Sequence, residues 1–144
     1  MHAVSCDLLK VDRKVNNLVY IVRSRKALPE VARDLGSAAQ RHKFGIMGAY
    51  DLKSRMKEKG IEFDRECLVV EVCNPHQAKT VLEKNAEIST ALPCRISLYQ
   101  EGDEVVLATI RPTVMLALFE TVGLEPVAQE VEATILAIME EAAG

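Results

Sequence analysis

The sequence predicts an α+β fold of two layers, one mixed and mostly antiparallel sheet with helices mainly on one face. Three observations predict it. Short β-branched runs recur along the chain, segments of helical period are opened by Pro or a capping residue, and the order β-α-β-α-β-α-β-β-α-α mixes helical crossovers with a hairpin. No stretch has the Pro, Gly and Ser content of a linker, and no internal repeat is visible, so residues 1–144 read as one domain.

The first run, Asn17 to Arg23, is apolar on both parities, the pattern of a strand covered on both faces, and is expected inside the sheet. Pro29 then suits a first helical turn, and Val31, Ala32, Leu35, Ala38 and Ala39 recur at helical spacing to about His42. Phe44 to Tyr50 reads as a second strand. Asp51 stands as the N-cap of a short charged helix that ends near Gly60, a residue suited to the left-handed position past a helix end. Cys67 to Cys73 alternates, with Leu68, Val70 and Val72 on the face expected to meet the helices and Val69, Glu71 and Cys73 on the other. Asn74-Pro75 combines a capping side chain with a pre-organised first position, and the helix it opens runs to about Lys84, burying Ala78, Val81 and Leu82. Leu92 to Gln100 and Glu104 to Ile110 are strands joined around Glu101-Gly102-Asp103 as a hairpin. Pro112 opens a short helix through Phe119, Gly123 ends it, and a last helix over about 125–141 carries the stripe Leu124, Ala128, Val131, Ile135 and Ile138. That stripe either covers the sheet or pairs with a second subunit. Glu140 and Glu141 stand at a helix end that prefers positive charge, which predicts a looser last turn.

Composition excludes several classes of function. A net charge of -3, with no Trp and few other aromatics, offers neither a basic field nor a stacking platform, so no nucleic-acid partner is expected. Lys53, Arg55, Lys57 and Lys59 crowd one short helix, but on both sides of it, as a solvated face would. No apolar run approaches the ~20 residues of a membrane helix, and Met1 to Val15 interleaves charge with its apolar residues, unlike a signal peptide. A cytoplasmic protein with no membrane partner is expected, its four cysteines being thiols.

The chemistry-bearing candidates are few. Cys73 directly precedes a helix start, where the positive end of the dipole favours a thiolate; it is also a small side chain that can simply pack at a strand-to-helix turn. Cys94 follows Pro93 and shares parity with Ile96 and Leu98, which favours the core. By strand parity the two thiols would point to opposite sides of the sheet and could not pair, unless the strand ends bend. Cys73 and Cys67 lie at the two ends of one strand, about 20 Å apart. Cys73 and His76 have the spacing of two metal ligands, but the second pair that a zinc site needs is missing, so no metal and no cofactor is expected. Asp51 could serve as a base, although an Asp that opens a helix is ordinarily a cap. Gly-rich phosphate loops, nucleophile elbows and paired-carboxylate motifs are absent from the sequence, which weighs against an enzyme.

Phe44-Gly45-Ile46-Met47, Asp51-Leu52-Lys53, Cys73-Asn74-Pro75, Leu92-Pro93-Cys94, and Pro112 with Met115 together resemble the bacterial and archaeal family catalogued as domain of unknown function 302, over roughly residues 17 to 118. The resemblance implies a compact α+β fold that tends to form homodimers, and no established reaction. Some family members are encoded beside sulfur-transfer proteins, a hint about pathway. The chain departs from the family at Glu71 and Arg95, which put charge next to the two candidate cysteines in sequence.

The expected function is therefore a homodimeric, non-enzymatic domain that binds a small molecule or a partner protein, with Asp51, Cys73, Asn74, Pro75, Pro93 and Cys94 as candidate site residues. The rival reading is a thiol-dependent sulfur carrier or sulfur-transfer enzyme, with Cys73 as nucleophile, Cys94 as supporting group and a sulfur-transfer protein as partner.

Overall fold

The structure, a computed structural model, describes residues 17–144, so Cys6 and the N-terminal segment lie outside the described residues. Five strands, β1 (Val19–Ser24), β2 (Gly45–Asp51), β3 (Cys67–Cys73), β4 (Cys94–Glu101) and β5 (Glu104–Ile110), form one sheet in the order β1-β5-β4-β3-β2. The helices are α1 (Leu28–Arg41), α2 (Leu52–Glu58), α3 (Pro75–Lys84), α4 (Pro112–Ala117) and α5 (Glu125–Ala143), with a 3-10 turn at Ala86–Ala91.

The local signals in the sequence place these elements. Asp51 caps α2 by accepting from the Ser54 N–H at 3.0 Å, and Asn74 caps α3 by accepting from the Gln77 N–H at 3.1 Å. Pro occupies the first turn of α1, α3, α4 and α5. Gly102 turns the β4–β5 hairpin at φ 62 and Gly123 ends the α4 region at φ 86, both in the left-handed region that suits glycine.

Two expectations need correction. The sheet is antiparallel at every ladder, not mixed. The crossover through α1 does join two strands that run the same way, but it carries the chain from one edge of the sheet to the other, so β1 and β2 never share a ladder. For the same reason β1 is an edge strand, not an interior one. Tyr20 and Val22 pack on the core while Val19 and Ile21 remain half-exposed on the open face, and an apolar run alone cannot say which of its faces is covered.

The core lies between the sheet and the α1–α5 pair. Val31, Leu35 and Ala38 of α1 and Val131, Ile135 and Ile138 of α5 close over Val70, Val72, Ile96, Leu98, Val105 and Leu107. Val131, Ile135 and Ile138 of the α5 stripe therefore cover the sheet of their own chain. A smaller cluster of Val81, Ile88, Leu116, Leu124 and Ala128 joins α3, the 3-10 turn, α4 and α5 at one end of the molecule. The acidic end of α5 is also held, contrary to expectation. Glu141 meets Arg41 at 3.0 Å and His42 at 2.5 Å, and Glu140 accepts from the Tyr20 hydroxyl. Partners roughly a hundred residues away in sequence hold the two carboxylates, and the Arg41 guanidinium supplies positive charge that the helix end itself lacks.

Candidate functional site

The two clusters meet at a narrow cleft where the end of β3, the start of β4, the first turn of α3 and one side of α4 converge. Its walls include Phe44, Val72, Cys73, Asn74, Gln77, Pro93, Cys94 and Met115, and its free volume is about 30 Å³. That is room for one or two water-sized groups. No carboxylate, imidazole or ammonium side chain lines it.

Of the residues singled out in the sequence, Cys73, Asn74, Pro93 and Cys94 come together here. Pro75 is adjacent but exposed, and His76 is exposed and outside the cleft, so Cys73 and His76 do not act as a pair. Asp51 stands at the other end of β3, opposite Leu68, where its carboxylate caps α2. Among the described residues no three His, Cys, Asp or Glu side chains gather as metal ligands. Cys67, Cys73 and Cys94 are all free thiols.

The parity argument for the cysteines fails at the strand ends. The β3–β4 ladder stops at the Val72–Cys94 pair, one residue before Cys73, so Cys73 has no β4 partner to hold its pleat as the chain turns into α3. Both thiols line the same cleft. The Leu92–Pro93 peptide bond, which opens β4, is cis.

Burial dominates the electrostatics of the site. It pushes the Cys73 thiol above its ordinary value, the opposite of the lowering expected from a helix start. Cys94 rises from 9.0 to about 11, first through burial and second through the charge of Cys73. A thiol whose folded value is raised stabilises the fold fully below its unfolded value and loses that contribution as pH climbs through the folded one. The unfolding free energy should therefore fall by roughly 2 kcal/mol between about pH 9 and pH 11 on account of Cys94. Urea titrations of the parent and a Cys94→Ala protein at a series of pH values isolate this slope, and equal slopes in the two would refute it.

Glu71 and Arg95, the two charges next to the cysteines in sequence, do not enter the cleft. They are register partners on the open face, 3.4 Å apart, and Glu71 also accepts from the Tyr50 hydroxyl at 2.9 Å. Arg95 directly follows Cys94 and so faces the opposite side of the strand, whereas Glu71, two residues before Cys73, shares its parity and is parted from it because Cys73 lies beyond the end of the β3–β4 ladder. Gly48 makes room for this cluster, since a Cβ there would stand 2.7 Å from the Tyr50 hydroxyl oxygen. Two of the basic residues of α2 are similarly occupied: Lys53 meets Glu66 at 2.8 Å and the Arg55 guanidinium lies 5.5 Å from the centre of the Tyr50 ring.

Sequence reasoning missed Gln77 as a site residue. Its Nε2 donates to Glu130 at 2.6 Å, while its Oε1 is buried with no partner. The only sequence signal was its place three residues after the Asn74 cap.

The model of the family described as Domain of unknown function DUF302 matches residues 20–142. Among solved structures, the crystal structure of an uncharacterized conserved DUF302 protein from Bacillus stearothermophilus is similar, with a TM-score of 0.83 and 25% identity over 87% of this chain and 98% of that one. Among curated proteins none matches the chain. No helix among the described residues is long and apolar enough to cross a membrane.

Proposed function

Because the chain belongs to the DUF302 family, a membership that brings a fold and no reaction, we propose from the site's own geometry that the protein is a non-catalytic binding domain whose cleft beside Cys73 and Cys94 takes a small ligand. The carrying observation is Gln77 Oε1, a buried acceptor without a partner on a side chain that lines the cleft. The short bond from Nε2 to Glu130 fixes which way the amide points. Leaving such an acceptor unpaired costs about 1–3 kcal/mol, which a ligand carrying one donor on an apolar body recovers.

Catalysis has less support. No side chain in the cleft walls can act as a general acid or base at neutral pH. The sulfur-carrier alternative needs a thiolate, and burial holds both thiols protonated well above neutrality.

The reading includes a homodimer through the open sheet face. Val19 and Ile110 are register partners, 45% and 50% exposed, with Ile21 beside them. The charges that flank this apolar lane are already paired within the chain, Arg23 with Glu101 at 2.8 Å and Arg95 with Glu71. A two-fold-related copy thus meets apolar surface with apolar surface and buries no unpaired charge.

Small donors such as methanol, titrated into isotope-labelled protein, should shift the amides of Cys73 to Ala78, Cys94 and Met115. Gln77→Leu and Cys73→Ser should each weaken these probes about tenfold, the equivalent of one hydrogen bond. Variants that keep every affinity, or shifts confined elsewhere, would overturn the reading. Sedimentation of the Ile21→Asp protein tests the assembly: the parent should run as a dimer and the variant as a monomer.

A further inference from the structure

The walls of the cleft hold three sulfur atoms. Cys73 and Cys94 line it together with Met115, and Cys94 and Met115 also line a second cleft with Arg95 and Ile110. Met115 comes from the middle of α4, Cys94 from the first residue of β4 and Cys73 from the last residue of β3. Three separate elements thus each contribute a sulfur-bearing residue to the walls of one space. The other walls are mainly apolar, apart from the Asn74 and Gln77 amides.

Donor type decides which ion such a site takes. Magnesium and calcium need oxygen ligands, of which a carboxylate is the usual charged one, and none is present. Zinc prefers four ligands drawn from thiolate, imidazole and carboxylate, and the cleft offers two thiols and no imidazole. Two thiolates and a thioether are the soft set that selects copper(I). The volume of about 30 Å³ suits one ion and not a cluster or an organic cofactor.

We infer that the cleft is a site for a single copper(I) ion held by Cys73 Sγ, Cys94 Sγ and Met115 Sδ. Binding releases two thiol protons to solvent and forms two metal–thiolate bonds and one metal–thioether bond, with no change of oxidation state, because a coordinating thiol is deprotonated outright. Two thiolates and one monovalent cation leave one negative charge, and it forms at the start of the ten-residue helix α3, whose positive end favours it. This assignment rests on the binding-cleft reading only in placing a ligand in the same cleft and goes beyond it, because copper(I) carries no donor for Gln77 Oε1. The Cys-x-x-His spacing pointed elsewhere, since a thioether is not part of that motif.

The test is competition between the reduced full-length protein and the copper(I) chelator bicinchoninate, under anaerobic conditions. The protein should withdraw one copper(I) per chain. Cys73→Ser and Cys94→Ser should each weaken binding about a hundredfold, and Met115→Leu, a near-isosteric change that spares the fold, about tenfold. A Cys6→Ser/Cys67→Ser double variant should bind like the parent, and X-ray absorption should find sulfur as the ion's neighbours. Copper left with the chelator, or an affinity unmoved by Met115→Leu and both cleft cysteine variants, overturns the inference. If the small donors still shift the cleft amides while copper is refused, this inference alone falls; a cleft that takes neither sinks the binding reading as well.

Discussion

Replacing Glu132 with Ala should cost about 3 kcal/mol of stability, because it removes one partner of a largely buried ion pair. Glu132 projects from α5 and accepts from both the Thr113 N–H, at 3.0 Å, and the Thr113 hydroxyl, at 2.6 Å. Its other oxygen faces Arg111 at 3.3 Å, and the two side chains are only 16% and 20% exposed. Arg111 Nε is already buried without a partner, so losing Glu132 would leave the guanidinium with little beyond its position over the Tyr20 ring, 5.1 Å from the centre. Thr113 lies in the first turn of α4, the helix that carries Met115 and Leu116 to the cleft, so the same change should loosen the site. Glu132→Gln keeps an acceptor for Thr113 but no charge for Arg111, and should lose about half as much. Urea unfolding measures both variants. A loss under about 1 kcal/mol for the Ala protein would mean that solvent replaces the carboxylate without penalty.

Leu98→Ala should cost about 3–4 kcal/mol, for a different reason. Leu98 is fully buried on β4, the central strand, with Leu68 and Leu107 as its register partners on either side. Both neighbours are tied into ladders, and α1 and α5 already pack tightly on this face, so the space cannot collapse. The residual cavity adds to the lost transfer free energy. Val122→Ala, at a side chain 94% exposed, should leave stability within about 0.5 kcal/mol of the parent. Comparable losses at the two positions would mean that the core is not close-packed at β4.

What could be read from the sequence was what the chain decides over a few residues. Asn74 and Asp51 were legible as caps because the bond each makes spans only three residues. The face of β3 that carries Val70 and Val72 was legible because alternation along a strand is a property of the strand itself. The 3-10 turn at Ala86–Ala91 was not, since its six residues carry neither a strand nor a helical period, and its Ile88 is buried by contacts from α3, α4 and α5.

The site divides in the same way. Cys73, Asn74, Pro93 and Cys94 stood out as local motifs, and the sequence by itself marked them as candidates, together with the starts of α1 to α5 and the hairpin at Gly102. Only the tertiary structure decided that β1 lies at an edge, that Glu71 and Arg95 neutralise each other on the open face, that the acidic end of α5 is held by Tyr20, Arg41 and His42, and that Cys73, Cys94, Met115 and Gln77 share one cleft. The physical reason is range. Caps and pleats act between residues a few positions apart, whereas strand order, ion pairing and the desolvation of a thiol depend on which distant segments are packed alongside, and that is settled only when the whole core forms.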